Sequence, residues 1–213
     1  MRARAGRDRA GRRERLVAAA QALVVRDGAE GFSLREAARK AGTDPALVYR
    51  HFADRAELIR AVATRGFDAL ARQMERALRA VRGEGPAAEL RALGRVYLRF
   101  ALAEPAVFRV MFGPERGEPP LASDRTRPAP FHLLRARLTD FAERGLLRME
   151  PDDAAVMCWA AVHGAAHLAL DGALGRTQPQ SVGHLTELTM DFLLRGIGLT
   201  EAPPKRRGYA GRR

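Results

Sequence analysis

Tyr49, Arg50 and His51 place a phenol, a guanidinium and an imidazole side by side in a segment otherwise made of small and apolar residues. A guanidinium can pair two N–H groups with O6 and N7 of guanine, and the preceding Ala46 and Leu47 can meet a thymine methyl. That is base-reading chemistry. An aromatic ring between polar neighbours in so short a stretch has little surface to be buried against, which favours a nucleic-acid contact for Tyr49 over simple packing. His163 and His167, one helical turn apart, form a second polar set that can supply two metal ligands. The rest of such a site is missing. No Glu stands where an H-E-x-x-H motif needs it, and His132 and His184 lie on other segments. A hydrogen-bonded pair lining a cavity is the better reading, and no metal or cofactor is expected. Cys158, the single cysteine, reads as core beside Trp159 and excludes an internal disulfide.

The elements that must position the first set can be read from their caps. Ser33 followed by Glu36 is a capping-box pattern, so a short helix is expected to start there and carry Leu34, Ala37, Ala38 and Ala41 inward, with Gly42 ending it. Asp44 can cap a second short helix with Pro45 at its first position, where the missing N–H has no helical partner to lose. On that helix Val48 and Phe52 face the core, which leaves Ala46, Leu47, Tyr49, Arg50 and His51 outside. Asp54 with Glu57 opens a third helix running to about Val81, roughly 40 Å at 1.5 Å per residue. Before them, Leu16, Ala19, Ala20, Leu23 and Val24 repeat at helical spacing, so a first helix is expected from about Arg12 to Asp27. The Arg-rich residues 1–11 are read as a disordered arm, free either to stay so or to order along DNA.

These residues resemble the tetracycline-repressor (TetR) family of bacterial transcription regulators. The resemblance rests on Gly42-Thr43-Asp44-Pro45, Val48-Tyr49-Arg50-His51-Phe52 and Asp54-Arg55. Arg55 stands where the family usually has Lys, and Val48 where it usually has Leu. The resemblance implies that Tyr49, His51 and Arg55 hold phosphates, with Thr43 adding a hydroxyl, while Ala46, Leu47 and Arg50 face bases. With Ser33, Asp44 and Pro45 these make up the expected DNA-binding set.

Further along, apolar residues keep helical spacing through Leu90–Ala101, Pro105–Phe112, Phe131–Arg144, a long Ala-rich helix from Pro151, and Ser181–Ile197. A Pro-rich stretch between Gly113 and Pro130 is expected to be a surface loop. No strand pattern occurs. Glu104 to Phe112, and Trp159 to Gly164 with its Trp…His-Gly (WHG) signature, extend the resemblance to one C-terminal domain type of these regulators. It then covers roughly residues 12–198. It implies a homodimer through the last two helices, with Ala161, Gly164, Ala165 and Ala169 permitting close approach. It also implies a small-molecule effector, largely apolar, held by some of Phe100, Phe108, Met111, Phe112, Met157, Trp159, His163 and His167.

The expected architecture is all-α with about nine helices. It comprises the arm at 1–11, a helix-turn-helix domain at 12–58, a helical ligand-binding and dimerisation domain at 59–198, and a basic, disordered tail at 199–213. Charge follows that division: residues 1–60 carry 14 basic against 8 acidic residues, 61–201 carry 18 against 17, and 202–213 carry 5 against none. The excess favours a polyanionic partner. No signal peptide or run of about 18 uninterrupted apolar residues is visible, so a soluble cytoplasmic protein with no membrane partner is expected. The function expected is a ligand-responsive, sequence-specific DNA-binding regulator, most often a repressor released from a palindromic operator. A non-specific nucleoid-type binder is the alternative, but it would not need the large apolar second module. An enzyme fits less well, since no Gly-rich phosphate loop, nucleophile motif or paired carboxylates appear.

Overall fold

The computed structural model describes residues 2–114, 128–173 and 179–199. Every regular element among them is helical: α1 (Arg2–Asp27), α2 (Leu34–Lys40), a 3-10 turn (Val48–Arg50), α3 (Arg55–Ala80), α4 (Pro86–Ala103), α5 (Pro105–Phe112), α6 (Ala129–Glu143), α7 (Pro151–Leu170) and α8 (Pro179–Ile197). The all-α expectation holds. Most of the expected Pro-rich loop and of the basic C-terminal tail lies outside the described residues.

Two local expectations need correction. α1 begins at Arg2, not near Arg12. Arg and Ala are strong helix formers, and an isolated Gly such as Gly6 or Gly11 costs only about 1 kcal/mol against Ala, so a helix nucleated by the buried Leu16–Val24 turns propagates through them. The second correction concerns the short helix expected after Pro45. It is instead a run of turns closing into the 3-10 turn, with the Arg50 N–H bonded to the Leu47 carbonyl at 3.1 Å and the His51 N–H to the Val48 carbonyl at 2.9 Å. Between the Asp44 cap and Phe52 there is room for about two helical turns, and tight i→i+3 bonds are common in segments this short.

The chain divides into two compact units, Met1–Arg72 with Phe100–Pro130, and Gln73–Arg99 with Phe131–Arg213. The division therefore does not follow the expected boundary after Leu58, and α5 belongs to the first unit. Its reason is packing. The first unit closes around Leu16, Leu23 and Val24 of α1, Leu34, Ala37 and Ala38 of α2, Val48 and Phe52, and Leu58, Ile59 and Val62 of α3, and Val110 of α5 joins that core. α5 also lies against α3 where α3 carries Gly66: a Cβ there would stand 2.8 Å from Met111 Cγ and 3.0 Å from Val107 Cγ1.

In the second unit, α7 packs along α8. Trp159 of α7 meets Tyr97 of α4 and Phe131 of α6 edge-on, at ring separations of 5.2 and 5.6 Å. Ion pairs tie the helix ends around that core: Arg91 to Asp191 at 2.6 Å, Arg95 to Glu187 at 2.7 Å, Arg137 to Glu89 at 2.8 Å and Arg135 to Asp152 at 2.6 Å. By length and composition α7 is apolar enough to cross a membrane, but Ala155, Cys158, Trp159, Val162 and Ala166 are buried in the unit. Replacing Gly66 by Val should lower stability by about 1–3 kcal/mol through overpacking. The check is the urea midpoint, and an unchanged midpoint would mean α5 moves aside freely.

Candidate nucleic-acid interface

Each capping residue read from the sequence is in use. Ser33 Oγ accepts the Glu36 N–H at 3.1 Å, although the Glu36 carboxylate pairs with Arg26 at 2.7 Å, so the box closes on one side only. Gly42, at φ +64°, turns the chain out of α2 as a left-handed C-cap. The Thr43 N–H then bonds to the Ala38 carbonyl at 2.9 Å and the Gly42 N–H to Arg39 at 3.1 Å. Asp44 Oδ1 accepts the Ala46 N–H at 2.8 Å, and Asp54 Oδ1 accepts the Glu57 N–H at 2.6 Å.

Between these caps, Val48 and Phe52 are buried and anchor the segment to the core. The rest of it faces outward: Ala46 and Arg50 are exposed, Tyr49 is 53% exposed, and Thr43, Pro45, Leu47 and His51 are half-buried. Eight of the ten expected DNA-binding residues, Thr43 to Leu47 and Tyr49 to His51, therefore lie on or beside one outward-facing turn. Ser33, at the N-cap of α2, and Arg55, at the start of α3, lie outside it. The Arg55 guanidinium donates to the carbonyl of Phe32 at 3.2 Å and to that of Ala29, and it stacks over the Phe32 ring at 5.3 Å. This arginine pins the start of α3 to the turn between α1 and α2. Arg13, by contrast, lies over the Phe52 ring at 4.9 Å.

Two surface clefts flank the recognition turn. One is lined by Arg12, Leu47, Arg50 and His51. The other is lined by Arg35, Arg39, Asp44, Pro45, Ala46 and Tyr49. Arg35 and Arg39 were missed in the sequence because their place beside Tyr49 depends on how α2 packs. Their one-turn spacing opposite the apolar face of α2 was the available signal.

The expected effector residues fall in both units. Phe100, Phe108 and Met111 are buried in the first unit, where Phe112 stacks edge-on against Phe67 at 5.3 Å and tilts against Phe108 at 5.0 Å. Trp159, His163 and His167 belong to the second unit. There the Tyr97 hydroxyl lies 2.9 Å from His163 Nδ1, and the two imidazoles are 4.5 Å apart. Burial, with His167 adding repulsion, pulls the His163 pKa from 6.5 to about 4. The ring is therefore neutral near pH 7, and one that accepts the phenol proton at Nδ1 carries its own on Nε2. Among the described residues no group of three or more metal-ligating side chains includes the pair. Met157 departs from the expectation: it is 53% exposed, on the side of α7 turned away from Trp159. Burial pushes the Cys158 thiol up to about 12, which keeps it an unreactive core residue.

A capped helix, a glycine turn and an outward-facing basic recognition segment define a helix-turn-helix DNA-binding protein. The family model described as bacterial regulatory proteins, tetR family, matches residues 16–62. That described as tetracyclin repressor-like, C-terminal domain, matches residues 90–193. The chain belongs to the tetracycline-repressor family and is a DNA-binding transcriptional regulator. A protein with unknown function from Rhodococcus sp. RHA1 is 30% identical over 88% of this chain and 95% of that one, with a TM-score of 0.74. A TetR-family transcriptional regulator from Pectobacterium atrosepticum is 20% identical over 95% and 100%, with a TM-score of 0.69. RolR in complex with resorcinol is 20% identical over 92% and 91%, with a TM-score of 0.65. No curated protein matches the sequence. Regulators of this family are generally not enzymes.

Two outcomes follow from the geometry. Arg55→Met should cost roughly 1.5–3 kcal/mol, because charged hydrogen bonds to two carbonyls are lost, readable as a lower midpoint in urea. His163 takes up its proton only below the pH at which an unfolded histidine does. Stability should therefore fall as pH drops from 6.5 towards 4. His163→Gln should flatten that fall in thermal melts, and an unchanged slope would assign it to other groups.

Proposed function

We propose that the protein is a cytoplasmic homodimeric repressor that reads a palindromic operator through two copies of the recognition turn and is released by a small, largely apolar effector. The observation that carries this reading is an apolar face left open on α7 and α8. Met157 and Leu168 are 53% and 47% exposed, Leu188 is 53% and Phe192 is 75%. Between Met157 and Leu168 on α7 the exposed residues are Ala160 and Gly164, spaced so that a second helix can approach closely. Ala165 and Ala169 point into their own unit and take no part. Burying a large apolar side chain contributes about 1.5–3 kcal/mol, so pairing this face with its copy is strongly favoured. Two recognition turns in a two-fold dimer would sit about 34–36 Å apart, one turn of DNA.

For the effector, the Tyr97–His163 pair beside Trp159 supplies polar contacts within an aromatic setting, and a neighbour of the same fold holds resorcinol. α3 contributes residues to both units, which makes it the natural carrier of a response. Coupling must be reciprocal: an effector that weakens DNA binding is itself bound less tightly on DNA, by the same factor.

Selection on random duplexes should enrich a palindrome with half-sites about one turn apart. Phe192→Glu should give monomers in sedimentation and weaken binding to the paired site by about 10²–10⁴-fold, the gain normally made by bivalency. A variant that stays dimeric would sink the assigned interface. Equal effector affinities with and without operator would rule out release.

A further inference from the structure

His163 and His167 stand one helical turn apart on α7, on the same face, and the regular backbone of the helix fixes their spacing. Their rings lie 4.5 Å apart, centre to centre, at 73° to one another. A tetrahedral ion about 2.0–2.1 Å from one nitrogen of each ring sets the ring centres roughly 5 Å apart. The pair is therefore close to chelating distance. Both imidazoles are half-buried, and they border the open face of α7, with Gly164 and Leu168 exposed beside them. Behind His163, the fully buried Tyr97 of α4 brings its hydroxyl to 2.9 Å from Nδ1. That contact orients the ring and directs a bond to an ion through Nε2. When Nε2 takes a metal, the imidazole proton moves to Nδ1 and is donated to the phenol oxygen, which can accept as well as donate.

We infer that His163 and His167 form a two-imidazole site for a divalent first-row transition ion, with Tyr97 as the positioning residue behind it. The missing H-E-x-x-H motif argues only against a protease-type centre. A pair of imidazoles four residues apart on a helix is a chelate in its own right. The ligand type selects the ion: imidazole nitrogen suits Zn²⁺, Cu²⁺ and Ni²⁺, whereas Mg²⁺ and Ca²⁺ require oxygen donors. Among the described residues no carboxylate joins the pair in a group of three. Two protein ligands leave the other positions to water, so the ion is held reversibly and stays open to exchange. A hydrogen-bond partner behind a metal-bound histidine fixes its tautomer and ring plane, which is the place Tyr97 takes. The site needs neither DNA nor an effector, so its test is separate from that of release.

The test uses the full-length chain without an affinity tag, titrated with Cu²⁺ at neutral pH. Trp159 is the single tryptophan. Its ring lies 5.2 Å from that of Tyr97, which lies 6.3 Å from that of His163, so bound Cu²⁺ should quench its fluorescence saturably. Zn²⁺, which does not quench, should restore the signal by competition, and Mg²⁺ should not. Zn²⁺ should also raise the melting temperature of the unaltered protein, a readout that needs no variant. His167→Gln should abolish the saturable quenching. Tyr97→Phe should weaken it by about 10–100-fold, the loss expected when an outer-shell partner is removed. Circular dichroism checks that both variants remain helical. His184→Gln, at an exposed histidine of α8, should change nothing. No quenching and no rise in melting temperature in the unaltered protein would overturn the site. So would quenching that persists in His167→Gln, which would assign the ion to exposed histidines such as His132 and His184. An unchanged Cu²⁺ affinity in Tyr97→Phe would overturn the positioning role of Tyr97.

Discussion

Two buried side chains, Val48 and Phe52, hold the outward-facing turn between Asp44 and Phe52. They lie four apart, enter the core formed by α1, α2 and the start of α3, and leave no other residue of the turn committed inward. Everything on the interface depends on that economy. A segment with a wider apolar stripe would have buried Tyr49 or Leu47, and one with a narrower stripe would have been free to detach. The caps at Ser33, Asp44 and Asp54 do the complementary work. They satisfy backbone donors at the start of α2, of the turn after Asp44 and of α3, which fixes where each of these elements begins.

Around that anchor the arginines have separate tasks that the sequence alone does not distinguish. Arg55 is held by backbone carbonyls and an aromatic ring, and it makes α3 and the α1–α2 turn a single piece. Arg13 covers Phe52. Arg26 is engaged with Asp27 and Glu36. Arg12, Arg35 and Arg39 lie in the clefts beside the recognition turn.

The second unit is governed by a different constraint. α7 is apolar nearly all round, so only part of it can be satisfied by its own unit. Trp159, Val162 and Ala166 are buried against the neighbouring helices, while Met157, Gly164 and Leu168 are left on the other side beside the exposed Leu188 and Phe192 of α8. A soluble chain rarely leaves so contiguous an apolar face open without a partner. The same helix thus carries part of the core and an apolar face left open.

Much of this was legible in the residues. Helix caps are local signals, so Ser33, Gly42, Asp44 and Asp54 announced their elements, and the period of Leu16 to Val24 announced α1. The narrow stripe of Val48 and Phe52 told which face of the turn is free. What the residues did not carry was anything set by long-range packing. Gly66 admits α5 to the first unit, and only the fold reveals that approach. Arg55 looked like any cation at a helix start until the carbonyls of Ala29 and Phe32 came within reach. Met157 has the same apolar character as Trp159 two residues on, and only the position of α8, α4 and α6 decides which of them is covered. Local hydrogen bonding and periodicity are properties of consecutive residues and were determined by the sequence itself. Which apolar face is buried, and which charge finds a partner, depends on residues distant in the chain, and the tertiary structure alone decided it.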